Sequence, residues 1–256
     1  MDYQSFSEEI ARLVRPQSYP LGVKLVKGSD PLPPEAVRPA KYGIQISLCQ
    51  WTTMARRWGR VLGVKATDIN CTPCLAALGL KRMPDRTALS QYFLEMGYAD
   101  RIELAEKAAK ELDPIAPGAI GKVAMFPLEM APVDPDIVLI YGTPAQMARL
   151  AAGYLYHHGE MIESKTTGFG ISCLSAVKSH FTGKPAFVLP GRGERILAGT
   201  DDTEMFLTFP AGICEALLDG LNKTQAKGTR YPVQSYMIYQ PPTLKPMKNL
   251  ADKLSD

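Results

Sequence analysis

A chain of 256 residues, 46% hydrophobic and 21% charged, has the composition of a globular protein with a sizeable core. Its net charge of +3 is small, and Lys and Arg alternate with Asp and Glu, so no basic face argues for nucleic acid. No stretch is long and apolar enough for a bilayer, the N-terminus lacks a leader pattern, and five cysteines, an odd count, speak for free thiols in a cytoplasmic protein.

Apolar positions Phe6, Ile10, Leu13 and Val14 predict a helix over 4–14, and Leu21–Val26 reads as a strand. Residues 28–40 are a Pro-rich loop. From Ile44, the series Ile44, Leu48, Trp51, Ala55, Trp58 marks one face of a helix ended by Gly59. Cys49, Thr53 and Arg56 share a neighbouring stripe. Val61–Val64 is a short strand, Asp68–Cys71 a turn, and Cys74–Leu78 helical. Two polar-faced helices follow at 86–96 and 101–112, then a strand at Val123–Phe126. Asp136–Tyr141 is the clearest buried strand: continuous, β-branched and bounded by turn residues. Thr143 as N-cap and Pro144 at the first helical position open the clearest helix. A helix at Ile171–Phe181, a strand at Ala186–Leu189, a turn at Pro190–Glu194, a strand at Met205–Phe209, a helix from Pro210 to Leu221 and a last strand at Val233–Tyr239 complete the pattern.

Strands alternating with helices predict an α/β (or α+β) protein, with a mixed sheet flanked by helices. Residues 1–240 read as one globular domain and 241–256 as a tail. Both halves run strand, helix with Cys, strand, turn, helix. The segment ISLC at Cys49 echoes ISC at Cys173, and ATDIN echoes GTDDT, as in an internal duplication. Such a duplication would let Cys49 and Cys173 converge across a pseudo-two-fold axis.

The legible chemistry is that of thiolates. Cys71-Thr-Pro-Cys74 has the C-x-x-C spacing of a metal or redox pair, but no second such pair exists to complete a zinc ribbon. With Cys49 and Cys173 added, three or four thiolates can ligate a [4Fe-4S] cluster with one iron open to substrate. The ordinary alternative is that these are small buried apolar residues, as Cys214 is inside its helix. Arg56, beside Cys49, and Arg192, between two glycines, are candidate clamps for an anionic substrate; the alternative for each is a solvated charge. His180, seven residues after Cys173, is a candidate proton donor, as are Glu129 and Tyr141. The run Thr166–Ser172 offers backbone N–H groups to an anion but lacks a phosphate fingerprint.

Several stretches together resemble the domain of unknown function 169 family, also called uncharacterised ArCR. They are Pro20–Leu25, Cys49 with Ala55-Arg56 and Gly59, Asp68–Cys71 with Ala77–Gly79, Pro127–Glu129, Asp136–Ile140, Gly170–Cys173, Pro190–Arg192 and Phe209-Pro210. The resemblance runs from about residue 20 to 220 and implies one shared architecture, without an activity. It implies that Cys49, Cys71 and Cys173 stand at the family's cysteine positions and that Cys74 is a local addition. An iron–sulfur enzyme acting on a small anionic substrate, by elimination of hydroxyl or thiol or a related redox step, is the leading expectation. Homo-oligomerisation is compatible with it. A non-catalytic ligand-binding protein with structural or zinc-bound cysteines is the second, and a Cys71–Cys74 redox pair the third.

Overall fold

Successive residues of β4 (Ile137–Gly142) enter opposite cores: Ile137, Leu139 and Tyr141 one, Val138 and Ile140 the other. A strand buried on both sides belongs inside a sheet covered twice. The computed structural model describes residues 1–82, 87–168, 172–233 and 244–254. The other strands are β1 (Leu21–Val26), β2 (Leu62–Lys65), β3 (Lys122–Pro127), β5 (Ala186–Val188) and β6 (Met205–Pro210). They form a six-stranded sheet ordered β2-β3-β1-β4-β6-β5. Every ladder between them is antiparallel. Parallel pairing appears as two isolated bridges, Val37 with Leu62 and Ile46 with Ile69.

One face of the sheet packs against α2 (Leu48–Trp58), α3 (Thr72–Ala77) and α7 (Ser172–Thr182). The short α8 (Arg192–Ala198) lies against α2. The other face is covered by α1 (Tyr3–Leu13), α6 (Pro144–His158) and α9 (Cys214–Ala226). Two helices, α4 (Thr87–Glu95) and α5 (Ile102–Leu112), build a small core of their own around Leu89, Phe93 and Ala105. The last helix, α10 (Lys245–Ala251), buries no residue. Among the described residues, no helix is long and apolar enough to cross a membrane.

The strand order reads the same from either end if β1 is exchanged with β4, β3 with β6 and β2 with β5. The registers repeat too. Leu21 faces Pro127 and Val26 faces Lys122; Ile137 faces Pro210 and Gly142 faces Met205. Leu62 faces Met125 in one half, as Ala186 faces Thr208 in the other. After each Phe-Pro, the next amide donates to the residue preceding the central strand: Leu128 to Pro20, Ala211 to Asp136. A pseudo-two-fold axis therefore passes between Gly22 and Val138, which pair at the centre. The spacing from Cys49 to Leu62 equals that from Cys173 to Ala186, so the two cysteines are equivalent under this axis. The ATDIN and GTDDT echo does not fall at equivalent places: Ala66–Asp68 directly follows β2, whereas α8 stands between β5, the counterpart of β2, and Gly199–Asp201.

Several boundaries differ from expectation; the helix expected over Pro210–Leu221 runs over Cys214–Ala226, because Pro210 ends β6 and a 3-10 turn follows it. The first Cys helix starts at Leu48 and not Ile44, because Ser47 caps it: its hydroxyl accepts from the Gln50 amide and the Gln50 side chain accepts from the Ser47 amide. Ile44 and Trp58, assigned to the apolar face, are exposed. The turn expected at Pro190–Glu194 becomes α8, which Gly199 closes in the left-handed region. Of the expected last strand, residues 234–239 lie outside the described residues, as do 169–171 of the glycine-rich run.

On the far face α6 and α9 meet at glycines. A Cβ on Gly220 would sit 2.0 Å from the Gly153 carbonyl oxygen. Backbone cannot yield as a flexible side chain does. Gly220→Ala is therefore expected to cost about 3 kcal/mol in urea unfolding; a cost under half of that would show that the helices separate freely.

Candidate functional site

Three helices begin at the same place on the sheet, and each begins with a cysteine. Cys49 is the second residue of α2, Cys71 is the N-cap of α3 and Cys173 is the second residue of α7. Cys49, Cys71 and Cys173 are half-buried, and Cys74, one turn into α3, is buried. The four thiols lie within electrostatic reach of one another: Cys74 interacts with Cys173, Cys71 and Cys49, and Cys49 with Cys173 and Cys71. The C-x-x-C pair and the duplicated cysteines thus form one group. All five cysteines are free.

Burial sets their chemistry. It pushes the Cys49 thiol up to about 12, against a hydrogen bond from Ser47, whose hydroxyl lies 3.0 Å from the sulfur. Cys71 is raised by burial, and Cys74 well above its ordinary value by its neighbour Cys173 and by burial. Without a metal Cys49, Cys71 and Cys74 are protonated at neutral pH. The three helix N-termini supply partial positive charge where thiolates would form.

Below the cysteines, on the axis, is a cavity of about 30 Å³. Its walls pair across the duplication: Val23 with Leu139, Thr52 with Ala176, Val123 with Phe206, Cys49 with Cys173. It has room for about one water. Symmetry breaks at Glu194, a wall residue that is only 5% exposed. Its carboxylate accepts from the Tyr141 hydroxyl at 2.8 Å, from the Thr200 hydroxyl at 3.3 Å and from the Ser172 hydroxyl. Burial raises its pKa and these hydrogen bonds oppose the rise, leaving it above an ordinary carboxyl. A carboxyl held this way beside a thiol cluster can exchange a proton with whatever enters the cavity.

Behind Glu194 lies Arg56. Sequence reasoning offered it as a substrate clamp; here it is fully buried. Its guanidinium forms a bidentate pair with Glu204 at 2.7 and 3.0 Å and stands 4.1 Å over the Tyr141 ring. Arg57 and the Asp201 amide also donate to Glu204. Arg56 is thus held away from solvent and braces Tyr141. Arg192 is exposed at the first position of α8, two residues before Glu194. His180 is not brought to the cysteines: seven residues of helix separate it from Cys173, about 10 Å. It lines a different pocket with Lys24 and Asp136. Glu129 is exposed in a 3-10 turn, whereas Tyr141 is at the site. Glu194 escaped sequence reasoning because it was assigned to a turn. The available signal was its place three residues after Gly191, with Gly199 as a stop.

Among the described residues, no three His, Cys, Asp or Glu side chains are arranged to hold a metal ion. A four-iron cube holds its cysteines farther apart than a single ion does. Part-exposed thiols at three helix starts are the soft donors that such a cluster or a zinc ion takes.

No curated protein and no solved structure matches the chain. A family model does, over residues 9–220, a span that takes in all four clustered cysteines, Tyr141, Glu194 and Glu204. The chain belongs to the domain of unknown function 169 family, described as uncharacterised ArCR.

Proposed function

We propose that this protein is an iron–sulfur enzyme of the cytoplasm, with a [4Fe-4S] cluster held by Cys49, Cys71 and Cys173. The observation that carries the reading is the meeting of these three half-buried cysteines at three helix starts across the pseudo-two-fold axis. When bound, a cluster with one iron free of cysteine supplies a Lewis acid for loss of hydroxyl or thiol from a small anionic substrate. The chain's own residues do the rest. The positive helix ends offset thiolate charge. Tyr141, Ser172 and Thr200 hold Glu194, and Glu194 takes or gives the proton at the cavity. Arg56 fixes the Tyr141 ring that orients it.

Protein purified without oxygen should be brown and carry about four irons and four sulfides per chain. Serine at position 49, 71 or 173 should abolish this content, while Cys74→Ser should keep it. Absence of iron and sulfide after reconstitution, or full content in any of the first three variants, sinks the reading.

A second reading has one observation behind it: burial keeps the thiols neutral, as in residues that merely pack. In that case the protein binds a ligand without transforming it, and would be colourless, with zinc or no metal.

A further inference from the structure

We propose that a second pocket, opening beside Cys71 between α3 and α4, binds a small organic anion: a carboxylate or phosphate monoester carrying an apolar group. It deepens the proposed function by locating the substrate's charged end, and rests on that reading only for the identity of the bound anion as substrate.

The pocket has a volume of about 530 Å³, within the range that accommodates small-molecule ligands. Its polar contributors are Asn70, Cys71, Thr72, Lys81, Arg82 and Tyr92. Among the described lining residues two are cationic and none is acidic. The apolar wall is Leu75 and Leu89, with Tyr92 presenting a ring whose hydroxyl is within electrostatic reach of Cys71. Such a lining takes a ligand with an anionic end and an apolar body.

The two cations are placed by the backbone. Gly79 adopts φ +63°, and a Cβ there would meet the carbonyl oxygens of Ala116 and Ile115 at 2.5 and 2.7 Å. Only glycine fits so close an approach. The Ile115 amide donates to Ala77, the Gly118 amide to Gly79 and the Lys81 amide to Leu75. The turn after α3 is thereby tied to the segment before β3, and Lys81 and Arg82 leave it at a fixed point. Both are exposed, and neither has an ion-pair partner among the described residues. Arg38, Arg56 and Arg57 are each committed to a carboxylate. Arg56 has no free charge to offer a ligand; Lys81 and Arg82 do. A guanidinium and an ammonium side by side suit a carboxylate or phosphate.

The test is thermal unfolding of the full chain with three probes of similar shape: phenyl phosphate, 3-phenylpropionate and the neutral 3-phenylpropanol. The two anions should raise Tm saturably and the alcohol should not. Lys81→Gln/Arg82→Gln should melt near the wild type without probe, since both side chains are exposed, and should weaken the anions at least tenfold. Arg192→Gln should leave them unchanged. Equal shifts from the alcohol, or full shifts in the double variant, overturn the proposal. Saturable anion binding in a protein that takes up no iron on reconstitution would retain the pocket and remove the cluster. Iron-loaded protein indifferent to both anions would retain the cluster and remove the pocket.

Discussion

Arg56→Ala lowers the unfolding free energy by about 3–5 kcal/mol in urea titration at neutral pH. The guanidinium is fully buried, and Glu204 beside it is only 9% exposed. Removing one partner leaves a desolvated carboxylate with half its donors. Arg57, on the solvent side, stays on Glu204, which holds the cost toward the low end. The pair gives no such stability relative to apolar residues, because desolvating both charges offsets their attraction. Arg56→Met with Glu204→Leu therefore recovers most of the loss. A single variant costing less than about 1 kcal/mol would mean the arginine is solvated after all. The variant also has a functional cost. The Tyr141 ring stacks on Phe206 at 4.5 Å and is covered on its other side by Arg56. Without that cover, the hydroxyl that binds Glu194 loses its orientation.

The elements were legible where burial wrote a pattern. Asp136–Tyr141 and Met205–Phe209 are apolar runs that only a strand covered on both faces requires, and both are strands. Thr143-Pro144 marked a helix start by capping chemistry alone, and α6 begins there. The order of strands was not legible. β1 lies between β3 and β4, and such pairings are contacts between distant segments with no local signature. The ISLC and ISC echo carried real information, since Cys49 and Cys173 prove equivalent. The second echo, ATDIN with GTDDT, falls at places the axis does not superpose, which shows how little four or five residues fix. Arg56 was misjudged for a physical reason. Helical spacing put it on the stripe of Cys49, but spacing says nothing about depth. What buries it is Glu204, 148 positions away. Glu194 was missed for the converse reason: glycines on either side of Arg192 suggested a turn, and only tertiary packing shows that a carboxyl enters the cavity.

The duplication explains why the site lies where it does. A two-fold axis through a sheet brings equivalent helices together at its centre, so one cysteine per half becomes a pair. Chemistry needs the halves to differ. One half adds Cys71 and Cys74 through α3, with the cationic pocket beyond them; the other adds Tyr141 and Glu194 through β4 and α8. As proposed, the cationic pocket in one half and Glu194 in the other would flank a substrate at the thiols that both halves contribute.

In the metal-free chain, Cys49 exchanges with a small disulfide reagent at pH 8 about fiftyfold more slowly than a thiol titrating at 9.0. A pKa of about 12 leaves roughly a thousandfold less thiolate at that pH. The more basic thiolate is the better nucleophile, which returns about twentyfold. Because the pKa is raised, the rate climbs tenfold per pH unit well past 9, where an ordinary thiol levels off. Mass spectrometry of the Cys49 peptide reads both quantities. The causes can be separated as well. Glu194 adds a repelling charge and Ser47 a stabilising hydrogen bond, so Glu194→Gln speeds the exchange and Ser47→Ala slows it. A rate plateau near pH 9 would show that the thiol is not desolvated. The same proton would govern the metal binding proposed above: each thiol ligand would have to lose it, so cluster assembly would release protons and gain affinity as pH rises. If the steep rise in Cys49 reactivity and the rise in iron uptake follow one pH curve, the thiol that resists ionisation is the one the metal must claim.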